Sequence, residues 1–109
     1  MATKANILID QGTDYLNILN LTNDDDEVLS LVGYTGTAQI RKHYTSSVSY
    51  PFTVTIAEEA GEVSLAMTAE QTANLSAGRY VYDCELRSSG NLVSRILEGI
   101  VTVTPQVTR

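Results

Sequence analysis

The chain has one cysteine, one histidine, two prolines and no tryptophan, and only seven of its 109 residues are lysine or arginine. Each scarcity narrows what the protein does. A single cysteine, Cys84, cannot form an internal disulfide, so the fold must hold without a bridge, as suits assembly in a reducing cytoplasm. A single histidine, His43, leaves zinc without its usual nitrogen and sulfur ligands, and reads as an ordinary strand-end or loop residue. Thirteen carboxylates against seven cations give a formal net charge of -6 and a pI near 4.5. That balance disfavours phosphate backbones and anionic lipid, which are bound through clustered lysine and arginine, so nucleic acid and membrane are not expected partners. No apolar run approaches the ~18 residues that span a bilayer as a helix. Met1 to Asn6 leads into Ile7-Leu8-Ile9 without the ~7–15-residue apolar segment of a secretory signal.

Catalytic groupings are equally sparse. An activated serine needs a base within hydrogen-bond reach and a group that orients it. Only His43 is available as that base, and no Gly-x-Ser-x-Gly turn is present. Glu58, Glu59 and Glu62 lie at an expected hairpin tip, where exposure keeps carboxylates ionised. Asp24-Asp25-Asp26-Glu27 lacks the alternating spacing and central glycine of a calcium loop and reads as a solvated turn. Gly33 and Gly36 lack the lysine and following helix of a phosphate loop. The expectation is a protein that is not an enzyme, with no cofactor, no metal site and no small-molecule substrate.

What the chain does have is alternation. From Leu75 to Leu86 a turn signal, Ser76-Ala77-Gly78, leads into Tyr80, Tyr82, Cys84 and Leu86 on one face with polar residues between, the pattern of a half-buried strand. In immunoglobulin-like sandwiches such a strand opens with a tyrosine whose hydroxyl bonds back to an upstream backbone group, and Tyr80 is the candidate. Cys84 falls in the buried row and is expected to be inert.

The remaining segments follow the same style. Ile7 to Ile9 starts a strand that Gly12 breaks, and Asp14 to Thr22 resumes it with Tyr15, Leu19 and Leu21 on one face and Leu16 and Ile18 on the other. Apolar residues on both faces mean a strand covered twice or an apolar strip that awaits a partner. Thr37 to Lys42 points Ala38 and Ile40 inward. Phe52, Val54 and Ile56 then pair with Val63, Leu65 and Met67 in a hairpin that turns at Gly61. Thr68 caps one helical turn with Gln71 three residues on. Ser88 to Asn91 makes a hairpin turn, and Leu92 to Thr104 is a long strand in which Gly99 is expected to place a bulge. These signals predict one domain over residues 1–109, burying roughly 65% of its unfolded surface. Its fold class is all-β, an immunoglobulin-like antiparallel β-sandwich of about seven strands with one short helical turn.

Tyr34, Tyr80 and Tyr82 are expected to be structural, with Gly78 at the corner. Tyr44 and Tyr50 flank the polar loop of residues 44–49, and exposed tyrosines make good interface anchors. The end of the chain, with Val107 and Arg109, keeps strand character, and either pairs with a neighbour's sheet edge or frays in solvent. Leu16, Ile18, Tyr44, Tyr50, Val107 and Arg109 are thus the candidate interface residues.

Three segments carry a family resemblance. Ile9-Asp10-Gln11-Gly12-Thr13-Asp14-Tyr15 is the first, and Leu31-Val32-Gly33-Tyr34-Thr35 leading to Ala38-Gln39-Ile40-Arg41-Lys42 is the second. The third joins Leu75 to Asp83 with Leu97-Glu98-Gly99 and Val101 to Pro105. In order and spacing they are similar to small structural proteins of tailed bacteriophages. They resemble in particular the N-terminal immunoglobulin-like domain of the upper baseplate protein family, which docks receptor-binding parts onto the tail. The resemblance implies a non-enzymatic virion structural protein, assembled in the host bacterial cytoplasm. A tail or baseplate component that joins the tail to fibres or neighbouring baseplate proteins is the leading expectation. Its partners would be other virion proteins, of the tail, baseplate or fibre before the capsid, with multiple copies in a symmetric assembly. A head decoration or neck or collar protein, and a cytosolic fibre-assembly factor, are the alternatives.

Overall fold

A computed structural model of the chain describes residues 3–21 and 30–108. The acidic run of residues 24–27 and the terminal Arg109 lie outside the described residues. Nine strands and one helix are present among those described: β1 (Thr3–Lys4), β2 (Ile7–Asp10), β3 (Tyr15–Asn20), β4 (Thr35–Arg41), β5 (Tyr50–Pro51), β6 (Thr53–Ala57), β7 (Glu62–Met67), α1 (Ala69–Ala73), β8 (Gly78–Arg87) and β9 (Val93–Thr104). They form two sheets. One runs β1-β9-β8-β4-β5 with β2 also paired to β9, and the other runs β3-β7-β6. Ile9, Ile40, Val101 and Val103 from the first meet Val63 and Leu65 from the second in a continuous core, the sandwich that alternation requires.

Two expectations about the sheets need correction. The strands number nine rather than about seven, because two-residue pieces at the sheet margins count separately. The sandwich is also not wholly antiparallel, since β1 and β2 run parallel to β9. Both pieces keep one register, Thr3 against Leu97 and Ile7 against Val101, so they are a single edge strand interrupted at Ala5 and Asn6.

That interruption explains Gly99. The bulge expected there lies instead at Ile96, where Cys84 pairs with Leu97 but Glu85 pairs with Arg95. Gly99 stays in register opposite Tyr82, and its missing side chain makes room for the Ala5 carbonyl. The Tyr82 hydroxyl donates to that carbonyl at 2.6 Å, and the Asn6 side-chain oxygen accepts from the Ile100 amide at 3.1 Å. A glycine inside a strand marks a bulge or a close backbone approach, and here it is the second.

Other signals hold as read. The Tyr80 hydroxyl donates to the Ser76 carbonyl at 2.7 Å, making the corner between α1 and β8. Thr68 and Gln71 form a reciprocal capping box. Helix α1 is too short to be stable alone. It is pinned by Asp14, which accepts from the Ala69 amide at 2.7 Å, and by the Thr72 hydroxyl, which donates to the Thr13 carbonyl at 2.7 Å. Aromatic contacts tie the sheets together: Phe52 meets Tyr82 edge-on at 6.2 Å and Tyr15 at 6.0 Å. Tyr34 is half-buried against the core rather than within it.

Cys84 is buried in the row where the alternation puts it. Burial, aided by the neighbouring charges of Asp83 and Glu85, pushes its thiol up to about 11 from 9.0. The folded state therefore keeps a proton that the unfolded chain releases near pH 9. By linkage, this contribution to stability is complete below pH 9 and is lost as pH rises toward 11. The urea midpoint should fall across that window, and Cys84→Ala should flatten the fall. A midpoint slope unchanged by the substitution would contradict this, as would alkylation of Cys84 in the folded protein at neutral pH.

Candidate interaction surface

The three-stranded sheet turns its inner face, with Val63, Leu65 and Met67, to the core. Its outer face is built by register in three rows: Leu16–Ala66–Thr53, Ile18–Ser64–Thr55 and Asn20–Glu62–Ala57. Glu62 is the single charged side chain in those rows. Leu16 and Ile18 stand 63% and 50% exposed, so of the two alternatives for this strand the structure shows the open apolar strip. Asn17, on the inner side, is half-buried.

Among the described residues β3 pairs only with β7, so no described strand covers its other edge. Exposed edges are normally blunted by lysine, proline, a bulge or brevity. The six residues Tyr-Leu-Asn-Ile-Leu-Asn of β3 carry no charge and no proline, and their pairing with β7 is unbroken. A face with a single charge beside such an edge is a surface suited to another protein.

The outer face of the six-stranded sheet differs in kind. Arg95 bridges Asp83 at 3.3 Å and Glu98 at 3.2 Å, and a groove of about 420 Å³ is lined there by Thr37, Gln39, Arg41, Tyr44 and Glu85. Its charges are largely paired with one another. Exposed ion pairs of this kind contribute little to stability and leave a face that solvent serves well.

The candidate interface residues among those described do not converge. Leu16 and Ile18 share the outer face of the three-stranded sheet, whereas Tyr44, 83% exposed, lines the groove on the opposite side of the sandwich. Tyr50 is half-buried and packs edge-on against Tyr80 at 6.2 Å, so its ring supports the corner. The terminal segment divides. Residues up to Thr104 belong to the core sheet, the Gln106 amide donates to Gln11 at 2.9 Å, and Val107 is 89% exposed. Sequence reasoning missed Leu8 and Ile100, both exposed on the outer face of the six-stranded sheet. The signal was present in Ile7-Leu8-Ile9, which is apolar on both faces just as β3 is.

No protein-family model matches the chain, and no curated protein matches it. Among solved structures the chain is similar to an internalin-like protein of Listeria monocytogenes, at 13% identity and a TM-score of 0.51. The likeness covers 94% of this chain but only 28% of that one. At such identity it speaks to the fold alone, an all-β sandwich.

Proposed function

We propose that the chain is a non-enzymatic structural module of a bacteriophage particle, a tail or baseplate component that joins neighbouring proteins through the outer face and β3 edge of its three-stranded sheet. One observation carries the contact role: Leu16 and Ile18 lie exposed on an almost uncharged sheet face next to an edge that no strand among the described residues pairs with. A solvated antiparallel face ordinarily alternates to polar or charged residues, and this one is charged only at Glu62 and places Leu16 and Ile18 among small polar residues and alanines. The bacteriophage setting rests on the sequence resemblance across the three segments.

A lysine at either exposed position should separate contact from folding. Leu16→Lys and Ile18→Lys are each expected to change stability by less than about 0.5 kcal/mol, because both side chains already face solvent. Each should weaken capture of the neighbouring protein from disassembled particles about tenfold, as a truncated interface anchor does. Equal capture by both variants and the parent chain would reject this face as the interface.

A further inference from the structure

A second open cavity, of about 480 Å³, lies where the loop after β4 meets the corner before β8. Its walls include Lys42, His43, Ser46, Ser47, Tyr50 and Ser76, and no carboxylate lines it. That is notable in a chain of net charge -6. The ion pairs found among the described residues both involve Arg95, on the outer face of the six-stranded sheet.

The site is built before any ligand arrives. The Lys42 ammonium sits 4.7 Å above the Tyr80 ring, which is held in turn by the hydroxyl bond to Ser76 and by the edge of Tyr50. Gly78 leaves space for that ammonium, since a side-chain carbon there would come within 3.0 Å of it. The loop is closed on itself: the His43 amide donates to the Ser46 hydroxyl at 2.9 Å, the Ser46 amide donates to the His43 carbonyl at 3.0 Å, and the Arg41 guanidinium donates to the Ser46 carbonyl. A cation fixed on an aromatic floor, with serine and tyrosine hydroxyls around it, offers an oxyanion a charge-assisted bond and offers neighbouring hydroxyl groups partners of their own. The volume falls within the range of small-molecule sites.

We infer that this cavity binds a small oxyanion carried on a hydroxyl-rich body, of the size and chemistry of a monosaccharide phosphate, without turning it over. Lys42 supplies the charge, and the hydroxyls of Ser46, Ser47, Ser76 and Tyr50 supply the polar contacts. The repulsion from the chain's net charge is screened beyond a Debye length of about 8 Å at physiological salt, so the local cation governs binding. The inference does not depend on the contact face of the three-stranded sheet, which is built from other residues.

Titration of the labelled protein with glucose 6-phosphate, followed through its backbone amide NMR shifts, tests this. Saturable shifts are expected at residues 42–50 and 76–80. Glucose and inorganic phosphate should each bind at least about tenfold more weakly, because each lacks one half of the recognised chemistry. Lys42→Met should weaken the sugar phosphate about tenfold while leaving the rest of the spectrum in place, since Lys42 is exposed. Absence of saturable shifts, equal binding of glucose, equal binding of inorganic phosphate, or an unchanged affinity in Lys42→Met would each overturn the inference.

Discussion

Replacing Gly99 with alanine is expected to cost the domain about 3 kcal/mol, near the upper end of what overpacking does in a filled interior. The added carbon would stand 2.8 Å from the Ala5 carbonyl carbon, nearer still to its oxygen, and 3.2 Å from the Asn6 side-chain oxygen. None of these is the free end of a long side chain that can swing aside. The first edge strand would have to retreat from β9. Three bonds hold it at that point: the Ala5 amide to the Glu98 carbonyl at 2.8 Å, the Ile100 amide to Asn6, and the Tyr82 hydroxyl to the Ala5 carbonyl. Retreat would also uncover Ile7 and Ile9, both in the core. Urea denaturation measures the loss, and hydrogen exchange shows where it falls, with amides of residues 3–10 exchanging first. Tyr82→Phe provides the comparison, since it removes one of the three bonds and should cost only about 1 kcal/mol. A Gly99→Ala protein with the parent midpoint and unchanged protection would show that the close approach does not constrain the strand.

Tyr80→Phe is expected to destabilise by about 1 kcal/mol, the net worth of an ordinary hydrogen bond, since the bond is part-buried and the Ser76 it reaches is exposed. The substitution is clean. The phenylalanine ring keeps the edge contact with Tyr50 and stays beneath Lys42, so packing and the cation contact survive while only the bond to Ser76 is lost. Burial also raises the Tyr80 phenol above its ordinary value, with neighbouring Tyr50 adding to the effect, as fits a hydroxyl held in its neutral form. The corner it ties is the point where the chain passes from α1 into the central strand of the larger sheet. An unchanged denaturation midpoint would remove Tyr80 from that role.

Local physics made much of this fold legible. Tyr80, Tyr82, Cys84 and Leu86 alternate because one side of β8 faces the core, and Thr68 with Gln71 announces a helix start through chemistry confined to four residues. The hairpins of β6 with β7 and β8 with β9 are likewise written in contiguous sequence. Pairing across the whole chain was not. β2 finds β9 through contacts 94 residues apart, and no periodicity in Ile7 to Asp10 specifies a parallel neighbour. Gly99 shows the same limit: bulge and close approach use the same residue, and only the position of Ala5 decides between them. For the candidate surface, the two-sided alternation of β3 already marked Leu16 and Ile18 as apolar residues on the face away from Tyr15 and Leu19, and both are exposed. The uncharged rows around them depend on the registers of β3 with β7 and of β7 with β6, which set residues 9 to 50 positions apart side by side. Tyr50 went the other way, because a tyrosine beside a polar loop looks exposed until the corner tyrosine it packs against is placed. The cavity at Lys42 was hidden because its two walls come from segments more than 25 residues apart.

The central functional claim is that this chain is a built-in part of a phage particle, placed at the tail by contacts between proteins. Mass spectrometry of purified particles, comparing intact virions with separated heads and tails, tests it most directly. The expected result is the chain recovered with tails, at a constant ratio to other tail proteins through successive purification steps. Recovery with heads would contradict the tail assignment and favour a decoration or collar role, and absence from heads and tails alike would contradict the structural role altogether.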